Sequence, residues 1–133
     1  MTYGFGTRVP MGYTDTVARV RAALKEQGFG VLTEIDVKST LHEKIGVTME
    51  DYVILGACNP PLAHRALEGD REVGLLLPCN VVVRADGPDA TLVQVVDPEA
   101  MFQLSDRADL KPVAEQAAAL LRAAVDSLGG TSL

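Results

Sequence analysis

Two Cys-Asn pairs, Cys58-Asn59 and Cys79-Asn80, are the residues best suited to chemistry, and they contain both cysteines of the chain. Each pair follows an apolar run and stands where the backbone is expected to change direction. A thiol beside a helix N-terminus can become acidic and reactive. A thiol that is packed inward behaves as a small hydrophobe. The pairs therefore indicate either a site or two corners of a packed core.

The sequence leaves both interpretations open for each cysteine. Cys58 is expected after a strand and before a capped helix, beside small residues that would leave room for a ligand. In the alternative, Cys58 is buried and Asn59 only caps the helix. If the two strands are neighbours, Cys58 and Cys79 could form a redox pair or half of a soft-metal site; otherwise both are separate core cysteines. The chain has no C-x-x-C spacing, which disfavours a thioredoxin-like or zinc-ribbon site.

The two histidines add little to these candidates. His64 lies more than one helical turn beyond Cys58, so it could complete a metal cluster with Cys58 and Cys79 only if its helix folds back over the sheet. A surface position is the alternative. His42 lacks the second histidine of a zincin motif. We recognise no complete catalytic constellation, and we expect no metal site.

Length, charge and hydropathy restrict the class of protein. The 133 residues, 47% of them hydrophobic, predict one domain over 1–133 with its own core. A net charge of −6 with scattered basic residues disfavours nucleic acid and anionic membranes as partners. The longest apolar stretch, 73–83, is far shorter than the ~20 residues of a membrane helix, and no leader is visible at Met1. We expect a soluble cytoplasmic protein with reduced cysteines.

Helix caps are the clearest structural signals. Asn59-Pro60 and Asp97-Pro98 each combine a capping side chain with a proline, which has no N–H to lose at the first helical position. Asp36 is expected to cap another short helix. A strand is expected before each of these three starts.

The remaining patterns complete the order of elements, β-α-β-α-β-α-β-β-α-α. Region 71–77 is ambiguous between a helical turn and extended chain. An apolar stripe over 111–128 predicts the longest helix, after which the last residues should fray. We predict an α+β fold, a single-domain sandwich in which a mixed or antiparallel sheet carries helices mainly on one face.

Several stretches resemble the domain-of-unknown-function 302 family, which is typified by small bacterial proteins. The stretches are 28–36, 55–60, 74–81 and 96–98. The resemblance spans about 28–102 and includes both Cys-Asn pairs. It implies a small α+β domain and no assigned reaction.

The leading hypothesis is a small-ligand-binding or sensing domain with a pocket formed by Cys58, Asn59, Cys79 and Asn80. Asparagine supplies a donor and an acceptor that can orient a small molecule. Base rates for small domains favour a homodimer. The alternatives are a thiol-dependent enzyme or redox protein that uses Cys58 with Cys79, or a soft-metal protein that uses both thiolates. The sequence indicates no particular cofactor.

Overall fold

The computed structural model describes residues 3–133, so Met1 and Thr2 of the predicted domain lie outside the described residues. The strands are β1 (Gly4–Val9), β2 (Gly30–Asp36), β3 (Tyr52–Cys58), β4 (Cys79–Ala85), β5 (Thr91–Val96) and β6 (Thr131–Ser132). The α-helices are α1 (Tyr13–Glu26), α2 (Val37–Ile45), α3 (Pro60–Gly69), α4 (Pro98–Phe102) and α5 (Lys111–Asp126). Short 3-10 helices over Arg71–Leu76 and Ala108–Leu110 complete the order.

The strands form one open antiparallel sheet in the order β2-β3-β4-β5-β1-β6. The hairpin that links β4 to β5 is one of its antiparallel pairs. This architecture confirms the predicted α+β class. It also confirms the predicted order of elements up to α5, to which the structure adds β6.

The core lies between one face of the sheet and the helices. Along β4, Val81 and Val83 are fully buried, whereas Asn80 between Cys79 and Val81 is exposed. This alternation follows from the two-residue period of a strand. Helix α1 packs on β4 and α5 packs on β1, with Leu121 of α5 fully buried. The helices therefore cover mainly one face, as the sequence predicts.

The three predicted caps are present. The side-chain oxygens of Asn59, Asp97 and Asp36 accept hydrogen bonds from backbone amides in the first turns of α3, α4 and α2, at 3.2, 2.9 and 2.9 Å. Each cap satisfies an amide that has no partner inside its own helix. The ends of β3 and β5 are thus followed at once by well-defined helix starts.

The prediction that the chain frays after α5 is wrong. Thr131 and Ser132 pair with β1, and the Thr7 hydroxyl donates to the carbonyl oxygen of Thr131 at 3.1 Å. Gly129 reverses the chain with a φ of 73°, which only glycine adopts easily. A Cβ on Gly130 would collide with β1, so a second glycine permits the close approach.

Among the described residues, no helix has both the length and the apolar character that crossing a membrane requires.

Replacing Leu121 with Ala should lower the free energy of unfolding by about 2–5 kcal/mol, because the substitution opens a cavity under the sheet. Leu120 is only half-buried, so Leu120→Ala serves as the matched control and should lose less. Urea unfolding measures both. A loss below about 0.5 kcal/mol for Leu121→Ala would contradict this packing.

Candidate functional site

The register between β3 and β4 brings the two cysteines to one corner of the sheet. Ala57 pairs directly with Cys79, and Cys58 is the next residue along β3. Cys58 ends β3 and Cys79 begins β4, which places both at the same end of the sheet. Cys79 is buried at 7% exposure, and Cys58 is half-buried at the rim. Both thiols are free.

A cavity of about 330 Å³ opens at this end of the sheet, between the strands and helices α3, α4 and α5. Cys58, Asn59 and Cys79 all line it. Small side chains from three elements account for the space, since larger ones would fill it. They are Ala57 of β3, Ala63 and Ala66 of α3, and Ala117 of α5.

The cavity wall is apolar and carries no formally charged side chain. Its polar side-chain groups are the Thr33 hydroxyl, the Asn59 amide and the two thiols. Phe29 and Phe102 contribute buried aromatic rings. The mouth includes Leu32, which is 69% exposed and lies in an irregularity of the pairing between β2 and β3.

Both thiols are held in the protonated form. Burial raises the pKa of the Cys58 thiol. Burial, and then the charge that Cys58 would carry, raise the pKa of Cys79 to about 11. The thiolate is the nucleophile and metal ligand in cysteine chemistry. These shifts are therefore opposite to those of an activated cysteine, although the N-terminus of α3 lies next to Cys58.

The two asparagines have different positions. Asn59 lines the cavity, and its Oδ1 accepts the capping hydrogen bond from the amide of Leu62 at 3.2 Å. Asn80 lies opposite Gly56 on the other face of the sheet and is exposed. The alternation along β4 buries Cys79 and Val81 and so turns Asn80 away from the cavity. The structure thus brings Cys58, Asn59 and Cys79 together without Asn80.

His64 also lies away from the cysteines. Its ring is exposed, and Nε2 is 3.1 Å from Oε1 of Glu68 in the next turn of α3. Within residues 3–133 no group of three or more His, Cys, Asp or Glu side chains is placed to hold a metal ion. The cluster of Cys58, Cys79 and His64 is therefore not assembled, because α3 presents His64 to solvent.

Sequence reasoning missed most of the cavity wall. Ala63 and Ala66 stand three residues apart on α3, a spacing that places them on one helix face. That spacing was a readable signal for a small-residue surface. Phe29, Phe102 and Ala117 gave no comparable signal, since only the tertiary packing brings them to the cysteines.

A larger hollow of about 750 Å³ lies between the end of α3 and residues 104–107. Its lining includes several charged side chains together with Leu75 and Leu104, which are 88% and 77% exposed. The two leucine side chains are therefore largely solvated. We therefore place the candidate site at the smaller, apolar cavity.

Comparison with known proteins identifies the family. The model of the domain of unknown function DUF302 matches residues 5–128. The chain belongs to this family. A crystal structure of an uncharacterized conserved DUF302 protein from Bacillus stearothermophilus is similar, with a TM-score of 0.87 and 31% sequence identity over 95% of this chain and 98% of that chain. Among curated proteins, none is significantly similar to the chain. The DUF302 relative supports the fold over nearly the whole chain and assigns no activity.

The raised pKa of Cys79 predicts a pH dependence of stability. A thiol titrates near pH 8.5 in the unfolded chain, and the folded-state pKa of Cys79 is about 11. The stability that this difference contributes is fully present below about pH 8.5 and is lost as the pH rises through about 11. The free energy of unfolding should therefore fall more steeply above about pH 8.5 in the wild type than in Cys79→Ala. Urea unfolding across this range measures both slopes, and equal slopes would contradict the prediction.

Proposed function

We propose that this DUF302 chain is a cytoplasmic small-molecule-binding or sensing domain, not a self-sufficient enzyme, and that its ligand occupies the cavity at Cys58 and Cys79. The observation that carries the proposal is the apolar cavity itself. Its 330 Å³ fall within the range of about 300–1,000 Å³ that is typical of ligand pockets. Such pockets combine an apolar wall with a few placed polar groups, as this one does.

The polar groups divide between the rim and the interior. Asn59 Oδ1 is engaged in the cap of α3, so a hydrogen bond from Asn59 to a ligand would come from Nδ2. Thr33 is exposed and lies near the mouth. Cys79 forms part of the inner wall, and Cys58 forms part of the rim. A ligand would therefore contact the soft, neutral sulfur atom of Cys79 in the interior and hydrogen-bonding groups near the opening.

The second candidate is a thiol-dependent enzyme or redox protein. The placement of Cys58 and Cys79 at one corner of two adjacent strands favours it. The raised pKa of both thiols counts against it, because each thiolate fraction is small near neutral pH. The same protonation weakens a soft-metal site made from the two thiols, since metal ligation requires thiolates. Ligand binding therefore has the stronger support.

The proposal includes a homodimer formed through β2. This strand lies at the edge of the sheet, and its Leu32 and Ile35 are 69% and 49% exposed. Antiparallel pairing with the β2 of a second copy would be self-complementary.

Filling the cavity should weaken binding. Ala63→Leu places a larger side chain at the half-buried wall of α3, and we expect it to weaken binding by at least about tenfold. The uncharged dye 1-naphthylamine is the probe, and its fluorescence on titration is the measurement.

The matched control is His64→Leu, the same substituent on the exposed side of α3, which should bind like the wild type. Equal binding by Ala63→Leu and His64→Leu would contradict the proposed site. The absence of saturable binding by the wild type would contradict the proposed function.

Sedimentation tests the dimer separately. The wild type should sediment as a dimer at high micromolar concentration, and Ile35→Lys should be monomeric, because a charge on an edge strand opposes pairing. Glu115→Lys, on the exposed side of α5, is the control and should remain dimeric. A monomeric wild type would remove the dimer from the proposal while leaving the cavity untouched.

A further inference from the structure

The wall of the cavity is unusual for this chain because charge is excluded from it. Charged residues make up 23% of the sequence, yet the residues that line the cavity include none. The elements that build the wall carry charges elsewhere. On α3, His64 and Glu68 form an exposed pair while Ala63 and Ala66 face the cavity. The lining is thus apolar on elements that are otherwise solvated.

An ion in this cavity would lose hydration without gaining a counter-charge. Burial of an unpaired charge is strongly unfavourable, far more so than burial of a neutral polar group that keeps a hydrogen bond. Among the lining residues, the side chains that can form hydrogen bonds are those of Thr33, Asn59 and the two cysteines, and a thiol is a weak donor. The net charge of −6 adds a general repulsion of anions.

The volume of the cavity and the residues of its wall further restrict which ligands can bind. A volume of about 330 Å³ has room for roughly 11 water-sized groups at about 30 Å³ each. Phe29, Phe102, Cys58 and Cys79 are among the residues that line this space. Rings and sulfur both make favourable contacts with a flat apolar ring.

From these observations we infer that the cavity takes an uncharged, largely apolar molecule of about ten heavy atoms and excludes charged compounds of the same shape. This inference rests on the proposed function and specifies the class of ligand.

Four compounds with one ring system test it. Indole and indole-3-acetamide are neutral, tryptamine is a cation at neutral pH, and indole-3-acetate is an anion with the shape of the amide. Each is titrated into the full chain by calorimetry and by NMR, with Ala63→Leu and His64→Leu as the filled-cavity and control variants. Indole and indole-3-acetamide should bind saturably to the wild type and to His64→Leu. Tryptamine and indole-3-acetate should bind at least about tenfold more weakly.

The possible outcomes distinguish a failure of this inference from a failure of the proposed binding function. Charged compounds that bind as tightly as indole, and lose binding in Ala63→Leu, would overturn the uncharged class and leave the binding function in place. Indole binding that survives Ala63→Leu would lie outside the cavity and would overturn the inference. If neither indole nor the naphthylamine dye binds, the inference and the proposed function both fail.

Discussion

The pairing of β3 with β4 is the constraint on which the site depends. Ala57 lies opposite Cys79, so the end of β3 and the beginning of β4 form one corner of the sheet. A slip of one residue would turn every side chain of β4 to the other face, and Cys79 would leave the core. The fully buried side chains of Leu55 and Val81 make such a slip unfavourable. The same packing that fixes the fold therefore fixes the position of both thiols.

Two opposing effects act on the pKa of the Cys58 thiol, and the effect of burial is the larger one. The positive end of a helix stabilises a thiolate, and α3 begins at Pro60, two residues beyond Cys58. Removal from water destabilises the thiolate and raises its pKa. Cys79 lies deeper and its pKa rises to about 11. The sequence suggested nucleophilic chemistry at Cys58 and Cys79, but in the structure the two thiols are neutral, polarizable parts of the cavity wall.

Local signals in the sequence predicted much of the fold. Asn59, Asp97 and Asp36 cap their helices because a cap depends on residues only a few positions apart. The outward position of Asn80 could also have been predicted, since its neighbours Cys79 and Val81 are apolar and side chains alternate along a strand. The pairing of β6 with β1 could not be predicted from the sequence, because it depends on the fit of the glycine turn against a distant strand.

The candidate site was predictable only in part. Both cysteines stood out at ends of apolar runs, but which strands are neighbours is a long-range property that the sequence does not display. The cavity arises where Ala57, Ala66 and Ala117 meet from three separate elements. No local sequence pattern predicts that these three alanines lie close together, because each one alone is an ordinary core or helix residue.

The central claim is that an open, apolar hollow exists beside Cys58 and Cys79. Xenon binds in apolar cavities that exclude ordered water. Diffraction from crystals held under xenon pressure should show a xenon atom against Phe29 and the Cys79 sulfur. Side chains that close the space, or a chain of ordered water molecules in place of xenon, would contradict the account.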